Sequence, residues 1–427
     1  MNQRSLYPGE NMGGALETKV LTTYSNVYEI EKWLLRKMLG QLGKPLIRAV
    51  LWSGEEVSSS DADPTARIII RDRKAFFKLL INPDLNFGDA YSAGDIDVEG
   101  NLVEFLETVY RALSKTPQDG GFYGYMQKTF NRPRPNSMAG SLDNIHHHYD
   151  IGNDFYKLWL DGEMQYTCAY FPTSAATLEE AQIAKMDHIC RKLHLKPGET
   201  VVEAGCGWGS LALHMARHYG VNVRAFNISR QQVIYARAVA EAAGLSDRVE
   251  YVEDDYRNIA GRFDAFVSVG MLEHVGINNY EELGKVIQRS LKEDGRGLIH
   301  TIGRNKAELM NAWIEKRIFP GAYPPTLGEM IDIFEPAGFS IIDVENLRLH
   351  YAKTLEHWLE RFETADKQIT EMFDQQFVRA WRLYLAGSLA SFSTGWLQLF
   401  QVVFAQPDKN NLPWTRAHLY NPSQPPL

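Results

Sequence analysis

Apolar and polar positions in the second half of the chain alternate between two patterns. Apolar runs that follow turn signals predict buried strands at 199–204, 221–227, 249–253, 264–270, 297–302, 339–345 and 398–405. Between them, apolar residues recur at helical spacing, as in RQQVIYARAVAEAAG and YEELGKVIQRSLK. This alternation predicts an α/β fold, with a mostly parallel seven-stranded sheet and helices on both faces. The last strand follows a helical insertion at about 354–396, so we expect it to lie antiparallel to its neighbours.

The first 113 residues have a different pattern, which predicts a separate small α/β domain. Residues 28–42 form one predicted helix, whose apolar face carries Ile30, Trp33, Leu34 and Met38. Two strand-like runs, LIRAVLW and ARIIIRD, follow this helix. A second helix, NLVEFLETVYRAL, begins after Asn101, a residue type that often caps helices. No catalytic cluster is visible in this part of the sequence.

Residues 114–143 are rich in Gly, Pro, Ser and Asn, a composition typical of a linker or a partly ordered flap. The cations Lys128, Arg132 and Arg134 are interleaved there with aromatic residues. This mixture suits contact with an anionic lipid surface, but it suits equally a solvated linker whose aromatics pack on a neighbour. Both interpretations stay open. The segment separates the predicted domains at 1–113 and 144–427.

The size and charge of the chain narrow the possible functions. Its 427 residues exceed the usual size of one domain, which agrees with two predicted domains. The formal net charge of −8 argues against nucleic acid as the main partner, because surfaces that bind phosphate backbones are usually basic. The first residues lack the apolar core of a signal peptide, and no apolar stretch is long enough to span a bilayer. We therefore expect a cytoplasmic protein that at most touches a membrane.

The cysteines and histidines do not have the spacing of metal ligands. Cys168, Cys190 and Cys206 are scattered without CxxC spacing, which fits a reducing compartment with neither a disulfide framework nor a zinc site. The run His146–His148 is a weak metal candidate, because consecutive side chains diverge and no cysteine or carboxylate spacing supports it. We expect no metal site in this protein.

A glycine-rich turn after the first strand of the large sheet predicts a nucleotide-type cofactor site. The segment ETVVEAGCGWGSLALHMA runs from a strand through Gly205, Gly207 and Gly209 into a helix, and glycines let the backbone approach a ligand closely. Glu203 stands two residues before this GxGxG, and the next strand ends in Asn227 instead of the carboxylate typical of NAD sites. Both features favour S-adenosylmethionine (SAM) over NAD, with Glu203 near the ammonium group of SAM.

Two other strands end in carboxylates. The third strand runs into VEDDYRNI, where Asp254 or Asp255 holds the adenine amino group or, alternatively, caps the next helix. The fourth strand runs into VSVGMLEHVGINNY, which places Glu273 and His274 at the mouth of a buried strand. From the residues alone, Glu273 is a general base, a holder of a ligand or a helix cap, and these alternatives stay open.

Several segments between about residues 146 and 406 carry a family resemblance: HYDIGNDFYKLWL, MQYTCAYF, EAGCGWGSLALHMA, SVGMLEHVG, IHTIG, WIEKRIFP and HYAKTLEHWLERF. They resemble the cyclopropane-fatty-acid synthase family, which includes the mycolic acid cyclopropane synthases. The resemblance implies a Rossmann-like, SAM-dependent methyltransferase fold. It also implies transfer of the SAM methyl group to a cis double bond of a phospholipid acyl chain, followed by loss of a methyl proton from the resulting carbocation and closure of a cyclopropane ring.

The resemblance further implies roles for individual residues. A bound bicarbonate ion is implied as the proton acceptor, and its holders are Glu273, His300, Tyr351 and the backbones of Cys168 and Ile302. The implied SAM contacts are Tyr166, Thr167, Gly205, Gly207, Gln232 and Asn227, the last of which stands where the family commonly has Thr. Without the resemblance, Tyr351 would be interpreted as an ordinary strand aromatic.

The family analogy also implies partners for this protein. They are an unsaturated phospholipid at the inner leaflet of the membrane and a second copy of the chain in a homodimer, with the N-terminal domain helping the protein to dock. Two other functions remain open. One is a related methyltransferase that makes methyl- or methylene-branched chains, and the other is a SAM-binding lipid carrier without catalysis. The set Glu273, His300 and Tyr351 favours catalysis.

Overall fold

The computed structural model describes residues 28–115, 151–409 and 413–420, so most of the predicted flap and the run His146–His148 lie outside the described residues. Residues 28–115 form a four-stranded sheet with its helices, here called the N-terminal layer. Its helices are α1 (Glu29–Gln41), α2 (Arg73–Ile81), α3 (Pro83–Ala93) and α4 (Leu102–Leu113). Its strands are β1 (Ile47–Val50), β2 (Glu56–Ser58), β3 (Ala66–Ile70) and β4 (Ile96–Glu99), in the order β2-β1-β3-β4.

The two predicted strands of this layer are β1 and β3, which pair in parallel. Asn101 caps α4 as predicted, because its Oδ1 accepts hydrogen bonds from the N–H groups of Val103 and Glu104. Strands β2 and β4 and helices α2 and α3 were not predicted from the sequence. Both strands are short and carry charged side chains, so they lack the apolar runs that a prediction from sequence depends on.

Helix α1 differs from the prediction in the face that it buries. Leu35 and Leu39 are buried against the layer, whereas Ile30 and Trp33 are 67% and 57% exposed. The apolar stripe of α1 is wider than the surface on which the helix packs, so Ile30 and Trp33 remain exposed, whereas Glu31 between them is buried. The Trp33 ring lies 5.2 Å from the Lys37 ammonium group.

The large sheet contains seven strands in the order β10-β11-β9-β8-β5-β6-β7. They are β5 (Thr200–Ala204), β6 (Asn222–Asn227), β7 (Val249–Glu253), β8 (Phe263–Val269), β9 (Leu291–Gly303), β10 (Ser340–Asn346) and β11 (Gln398–Ala405). The strands from β5 to β9 pair in parallel, and β11 lies antiparallel between β9 and β10. The predicted sheet and the antiparallel last strand are confirmed.

Helices cover both faces of the large sheet, and a helical insertion separates β10 from β11. The helices are α5 (Asn153–Tyr156), α6 (Leu178–Lys192), α7 (Ser210–Tyr219), α8 (Arg230–Ala242), α9 (Tyr280–Ser290), α10 (Leu327–Phe334), α11 (Arg348–Thr364), α12 (Asp366–Met372), α13 (Gln375–Thr394) and α14 (Ala417–Tyr420). Shorter helical turns are Tyr256–Asn258, Leu272–His274, Ile277–Asn279 and Ile314–Ile318. Within the described ranges, no helix has the length and apolarity needed to cross a bilayer.

The N-terminal layer and the helical insertion share one hydrophobic core, because buried residues of both belong to a single cluster. Across their boundary, Arg379 of α13 donates hydrogen bonds to the carbonyl oxygens of Tyr91 at 2.6 Å and Ile96 at 3.1 Å. A Cβ on Gly88 of α3 would lie 2.4 Å from the Trp313 indole. The close approach of α3 to the larger part of the protein therefore depends on a glycine at this position.

Candidate active site

The carboxyl ends of β5 and β6 surround the glycine turn. Gly205, Gly207 and Gly209 have φ angles of 83°, 53° and 89°, which side-chain-bearing residues rarely adopt. A Cβ on Gly209 would lie 2.6 Å from the Tyr251 hydroxyl oxygen, whereas a Cβ on Gly207 would meet nothing within 4 Å. The turn is therefore packed against the sheet at Gly209 and open to a ligand at Gly207.

Asn227 and Gln232 brace this turn from the neighbouring strand and helix. The Asn227 amide donates hydrogen bonds to the Gly207 carbonyl oxygen at 3.0 Å and to the Gln232 Oε1 at 2.8 Å. Both side chains are buried. The structure thus brings together these two predicted SAM contacts at the turn, and their contact with the cofactor stays a prediction.

Glu203 lies at the end of β5 with 2% of its surface exposed, and its Oε2 has no hydrogen-bond partner among the described residues. Burial raises the pKa of this carboxyl group to about 8. An orphaned, buried carboxylate oxygen is suited to a cationic ligand group. Together with the open space at Gly207, it fits the amino-acid part of SAM.

Asp254 and Asp255 make local hydrogen bonds after β7. The Asp254 Oδ1 accepts hydrogen bonds from the Asp255 N–H and the Asn258 amide, both at 2.7 Å. The Asp255 carboxylate accepts a hydrogen bond from the Arg257 N–H at 2.9 Å and forms an ion pair with its guanidinium at 3.0 Å. Asp255 therefore caps the turn Tyr256–Asn258, Asp254 binds the side chain of its last residue, and the predicted contact of either carboxylate with adenine remains a prediction.

Tyr166, Thr167 and Cys168 lie side by side in the segment before α6. The Tyr166 and Tyr384 hydroxyl oxygens are 2.8 Å apart, and the Thr167 carbonyl oxygen accepts a hydrogen bond from the Gln182 amide at 2.9 Å. Cys168 is fully buried, and burial raises the pKa of its thiol far above the ordinary value. This environment does not suit a nucleophilic thiolate, so the backbone of Cys168 is the better candidate for a ligand contact.

Glu273 and His300 form a second polar cluster at the ends of β8 and β9. The Glu273 Oε1 accepts a hydrogen bond from the Ile302 N–H at 2.5 Å. The Glu273 Oε2 and the His300 Nε2 are buried and have no partner among the described residues. Burial raises the pKa of Glu273 to about 7 and lowers that of His300 well below its ordinary value. Two unpartnered polar atoms of this kind fit a small ion, which would compete with Glu273 for the Ile302 N–H.

His300 also has a partner that the sequence analysis missed. The Gln401 Nε2 lies 3.0 Å from the His300 Nδ1, and the two residues face each other in the pairing of β9 with β11. With the amide in this orientation, Gln401 donates to Nδ1, so the proton of the neutral imidazole is on Nε2. A glutamine within the apolar run LFQVVFA was the signal available in the sequence.

Tyr351 lies in the first turn of helix α11 and not in a strand, so the alternative of an ordinary strand aromatic is wrong, and its role as a holder of the ion stays a prediction. Strand β10 ends at Asn346, and the helical insertion begins at Arg348, earlier than the predicted start at about residue 354. The Tyr351 ring packs 4.5 Å from the Phe392 ring, between centroids, and reaches the same cavity as Glu273. His274 also lines this cavity, and burial lowers its pKa to about 4, so its imidazole is neutral near pH 7.

One cavity of about 310 Å³ collects the predicted ion-binding residues. Its lining includes Cys168, Glu273, His300, Ile302 and Tyr351, together with Tyr166 and Thr167. The other walls are largely apolar and come from the helical insertion and from the N-terminal layer, including Ile47, Ala49, Ile68 and Phe105.

The remaining predicted cofactor residues lie outside this lining. They are Glu203, Gly205, Gly207, Asn227, Gln232, Asp254 and Asp255. A Cβ on Gly205 would lie 2.9 Å from the Met271 Cβ, so the cavity and the glycine-turn side meet near the preceding residue, Gly270. Its N–H donates a hydrogen bond to the His300 carbonyl oxygen at 2.9 Å, and a Cβ on it would lie 2.9 Å from the Thr167 methyl group. Thr167 thus lies between the two groups of predicted site residues.

Solved structures with a similar backbone identify the class of fold. The cyclopropane synthase MmaA2 from Mycobacterium tuberculosis has a TM-score of 0.60 and 28% identity, covering 62% of this chain and 98% of its own. Mycolic acid cyclopropane synthase CmaA1, in complex with S-adenosylhomocysteine (SAH) and CTAB, has a TM-score of 0.59 and 29% identity, with the same coverage of 62% and 98%. The fold is that of the SAM-dependent methyltransferases, as predicted, and these neighbours support SAM as the cofactor.

The family follows from the sequence comparisons. Residues 137–402 match the family model described as mycolic acid cyclopropane synthetase, and the chain belongs to this family. Residues 34–119 match a second model, described as a domain of unknown function (DUF7884). A probable fatty acid methyltransferase of Pseudomonas putida is 34% identical over 90% of this chain and 100% of its own length. The cyclopropane-fatty-acyl-phospholipid synthase of Escherichia coli K12 is 42% identical over 62% of this chain and 68% of its own length.

Proposed function

We propose that this protein transfers a methylene group from SAM to the cis double bond of unsaturated phospholipid acyl chains and so forms cyclopropane fatty acids. The observation that supports this most is the cavity whose apolar walls adjoin the unpartnered Glu273 Oε2 and His300 Nε2. An acyl chain needs an apolar pocket, and ring closure needs a proton acceptor beside it. The relatives from P. putida and E. coli, named for fatty acid methylation and phospholipid cyclopropanation, agree with a lipid substrate.

The proposed reaction balances without an oxidant or a reductant. Bound SAM would supply an electrophilic methyl group; its methyl–sulfur bond breaks, the electron pair stays on sulfur, and SAH is the leaving group. The π electrons of the alkene form the new carbon–carbon bond, which leaves a carbocation on the other alkene carbon. A C–H electron pair of the transferred methyl group then closes the ring, and the proton passes to the acceptor. Since an alkene is a weak nucleophile and the cation reacts with water, the cavity walls must align the acyl chain and exclude water.

Glu273 and His300 hold the proton acceptor in this proposal and do not act as the base themselves. With its pKa raised to about 7, Glu273 keeps a proton on a substantial fraction of molecules near neutrality and can donate it to bicarbonate. The His300 Nε2–H is a second donor, because Gln401 occupies Nδ1. Tyr351 and the backbone N–H groups of Cys168 and Ile302 complete the proposed set.

The proposed substrate lies in a bilayer, so we place the protein at the cytoplasmic surface of the membrane as a peripheral protein. By analogy with the family, we propose that it is a homodimer. Exposed Ile30 and Trp33 near the start of α1, with Lys37 beside Trp33, support lipid contact by the N-terminal layer. Sedimentation with vesicles tests this surface: Trp33→Ser should reduce the bound fraction, and an unchanged fraction would contradict the assignment. Light scattering of the purified chain tests the homodimer.

Incubation with SAM and vesicles of a monounsaturated phospholipid tests the reaction. Mass spectrometry should show one added CH₂ for each modified chain, and proton NMR should show loss of the vinyl signals. Vesicles of saturated phospholipid are the matched control and should remain unmodified. Glu273→Gln should severely reduce turnover while SAH affinity stays within about a few-fold, since Glu273 lies outside the glycine turn. Loss of SAH binding in this variant would show that Glu273 holds the cofactor instead.

A methyl- or methylene-branched product is the second candidate. It is favoured by the P. putida relative, which is named a probable fatty acid methyltransferase. The match covers 90% of this chain and the whole length of the relative. The two reactions share the first carbocation. A methyl branch forms when a proton leaves the neighbouring chain carbon, and a methylene branch forms when a hydride shift precedes loss of a methyl proton. Retained vinyl signals, or the doublet of a methyl branch, would identify this outcome and exclude ring closure.

A further inference from the structure

Lys185 of α6 is a buried lysine beside the candidate cofactor site. Only 1% of its surface is exposed, and its Nζ donates hydrogen bonds to the Thr167 Oγ1 at 2.9 Å and to the Gln165 Oε1. Among the described residues, no carboxylate forms an ion pair with it. Burial lowers the pKa of the ammonium group to about 8, although the nearby carboxyl groups of Asp161 and Glu203 act to raise it. Burying an unpaired charge is costly, so this lysine is a candidate for function.

The partners of Lys185 connect it to both sides of the glycine turn. Gln165 donates a hydrogen bond from its Nε2 to the hydroxyl of Ser210, the first residue of α7, directly after the turn. Thr167 packs against Gly270 at the end of β8, where a Cβ would approach its methyl group to 2.9 Å. Lys185 therefore contacts one segment directly and is connected through Gln165 and Thr167 to the start of α7 and the end of β8.

Glu203 is a buried acid in the electrostatic neighbourhood of Lys185. Its orphaned Oε2 accepts no hydrogen bond among the described residues, and Lys185 is the neighbouring charge that stabilises its ionised form. The two side chains are within electrostatic range of each other without an ion pair between them. A buried acid and a buried base held apart in this way match a ligand that carries both charges, such as an α-amino acid group.

We propose that Lys185 is a positioning residue that acts through the Thr167 hydroxyl and makes the site selective for the carboxylate of the cofactor's amino-acid part. Because Lys185 donates to the Thr167 oxygen, the hydroxyl proton is directed to another acceptor. The nearby ammonium charge favours an anion as that acceptor. Glu203 then takes the ammonium group. This inference rests on the proposed function, since it assumes that SAM binds at the glycine turn.

Calorimetric titration of the full chain with three ligands tests the inference. SAH carries both charges, 5′-deoxy-5′-(3-aminopropylthio)adenosine keeps the amine but lacks the carboxylate, and 5′-methylthioadenosine lacks both. The wild-type chain should bind SAH about tenfold or more tightly than the amine, as expected for a charge-assisted hydrogen bond. Lys185→Met should lose this preference by weakening SAH alone, and Lys185→Arg should retain part of it. Glu203→Gln should weaken SAH and the amine alike.

Thr167→Val provides a second route to the same conclusion, because it removes the hydroxyl and keeps the shape. It should lose the carboxylate preference, and combining it with Lys185→Met should add little further loss. If Lys185→Met weakens all three ligands equally, or keeps the wild-type preference, Lys185 is merely structural and the inference is wrong. If the wild-type chain binds no SAH, the proposed function itself fails.

Discussion

A single amide holds the His300 imidazole in one orientation. Gln401 faces His300 across the antiparallel pairing of β9 with β11, and its Nε2 lies 3.0 Å from the Nδ1. A donor at Nδ1 keeps the imidazole proton on Nε2, the atom without a protein partner. The side chain at position 401 therefore decides whether the imidazole donates or accepts a hydrogen bond at Nε2.

Two substitutions of Gln401 should separate these alternatives. Gln401→Leu removes the donor, and we expect turnover to fall about tenfold, the equivalent of one neutral hydrogen bond. Gln401→Glu should lower turnover further, because its carboxylate accepts from Nδ1 and leaves Nε2 without its proton. SAH affinity, measured by calorimetry, should stay unchanged in both. Equal turnover in the glutamate variant and the wild-type chain would contradict the tautomer assignment.

The buried carboxyl group of Glu273 should make stability depend on pH. Burial raises its pKa from 4.5 to about 7. Between these two pH values, the folded chain therefore keeps a proton that the unfolded chain has lost. The contribution of Glu273 to the free energy of unfolding therefore falls as pH rises through the window, by about 3 kcal/mol in all. Glu273→Gln removes this dependence. Urea unfolding of both chains should show that the free energy of unfolding of the variant rises relative to that of the wild-type chain as pH increases. A constant difference between the two free energies across this pH range would contradict the prediction.

At the scale of elements, α11 connects the two sides of the candidate site. Tyr351 in its first turn lines the cavity, and one turn later the Thr354 Oγ1 accepts a hydrogen bond from the Ala169 N–H at 3.0 Å. Ala169 directly follows the segment that carries Thr167 and Cys168. Helix α11 thus holds in place the backbone that is predicted to contact both the cofactor and the ion.

Thr354→Val should loosen this attachment. The substitution leaves the buried Ala169 N–H without a partner, at a cost of about 1–3 kcal/mol in the free energy of unfolding. We also expect weaker SAH binding, because Thr167 moves with Ala169. Thr354→Ser keeps the hydroxyl and is the matched control. The prediction fails if, by urea unfolding and calorimetry, the valine variant behaves like the serine variant.

Elements whose signals are local in the chain could be predicted from the sequence. The strands of the large sheet are apolar runs, and the glycine turn and Glu273 follow strand ends, so chain order places them at one edge. Lys185 and Gln401 could not be assigned in the same way. The pairing of Gln401 with His300 depends on the register of two strands about a hundred residues apart, and Lys185 is one polar position on the buried face of α6. The prediction of the buried face of α1 was wrong, because periodicity shows which positions are apolar but not which neighbouring element covers them.

At the scale of the whole molecule, the cavity extends from the large sheet into the N-terminal layer. Ala49 of β1 is fully buried and lines it, whereas Ala66 of the neighbouring β3 is buried but outside the lining. In the proposed function, the far end of an acyl chain would therefore lie among residues of the N-terminal layer, which contributes no residue to either polar cluster.

Ala49→Leu should change substrate selectivity without changing the chemistry. The larger side chain shortens the cavity, and we expect turnover of long acyl chains to fall about tenfold relative to shorter ones, within the range that one or two methylene groups produce in an apolar pocket. SAH affinity should not change. Ala66→Leu is the control for overpacking and should leave the chain-length profile as it is. The test is mass spectrometry of vesicles with mixed chain lengths, and identical profiles for all three chains would contradict the prediction.

The position of β11 has a consequence for biosynthesis. Glu273, His300 and Tyr351 all precede it in the chain, but the residue that orients His300 belongs to this last strand, which inserts between β9 and β10. Synthesis proceeds from the N-terminus, so a nascent chain can bring these residues together before Gln401 has left the ribosome. The imidazole acquires its final orientation only after β11 has been synthesised and has paired with β9. A chain truncated before residue 398 would lack both the amide that orients His300 and the buried strand that pairs with β9.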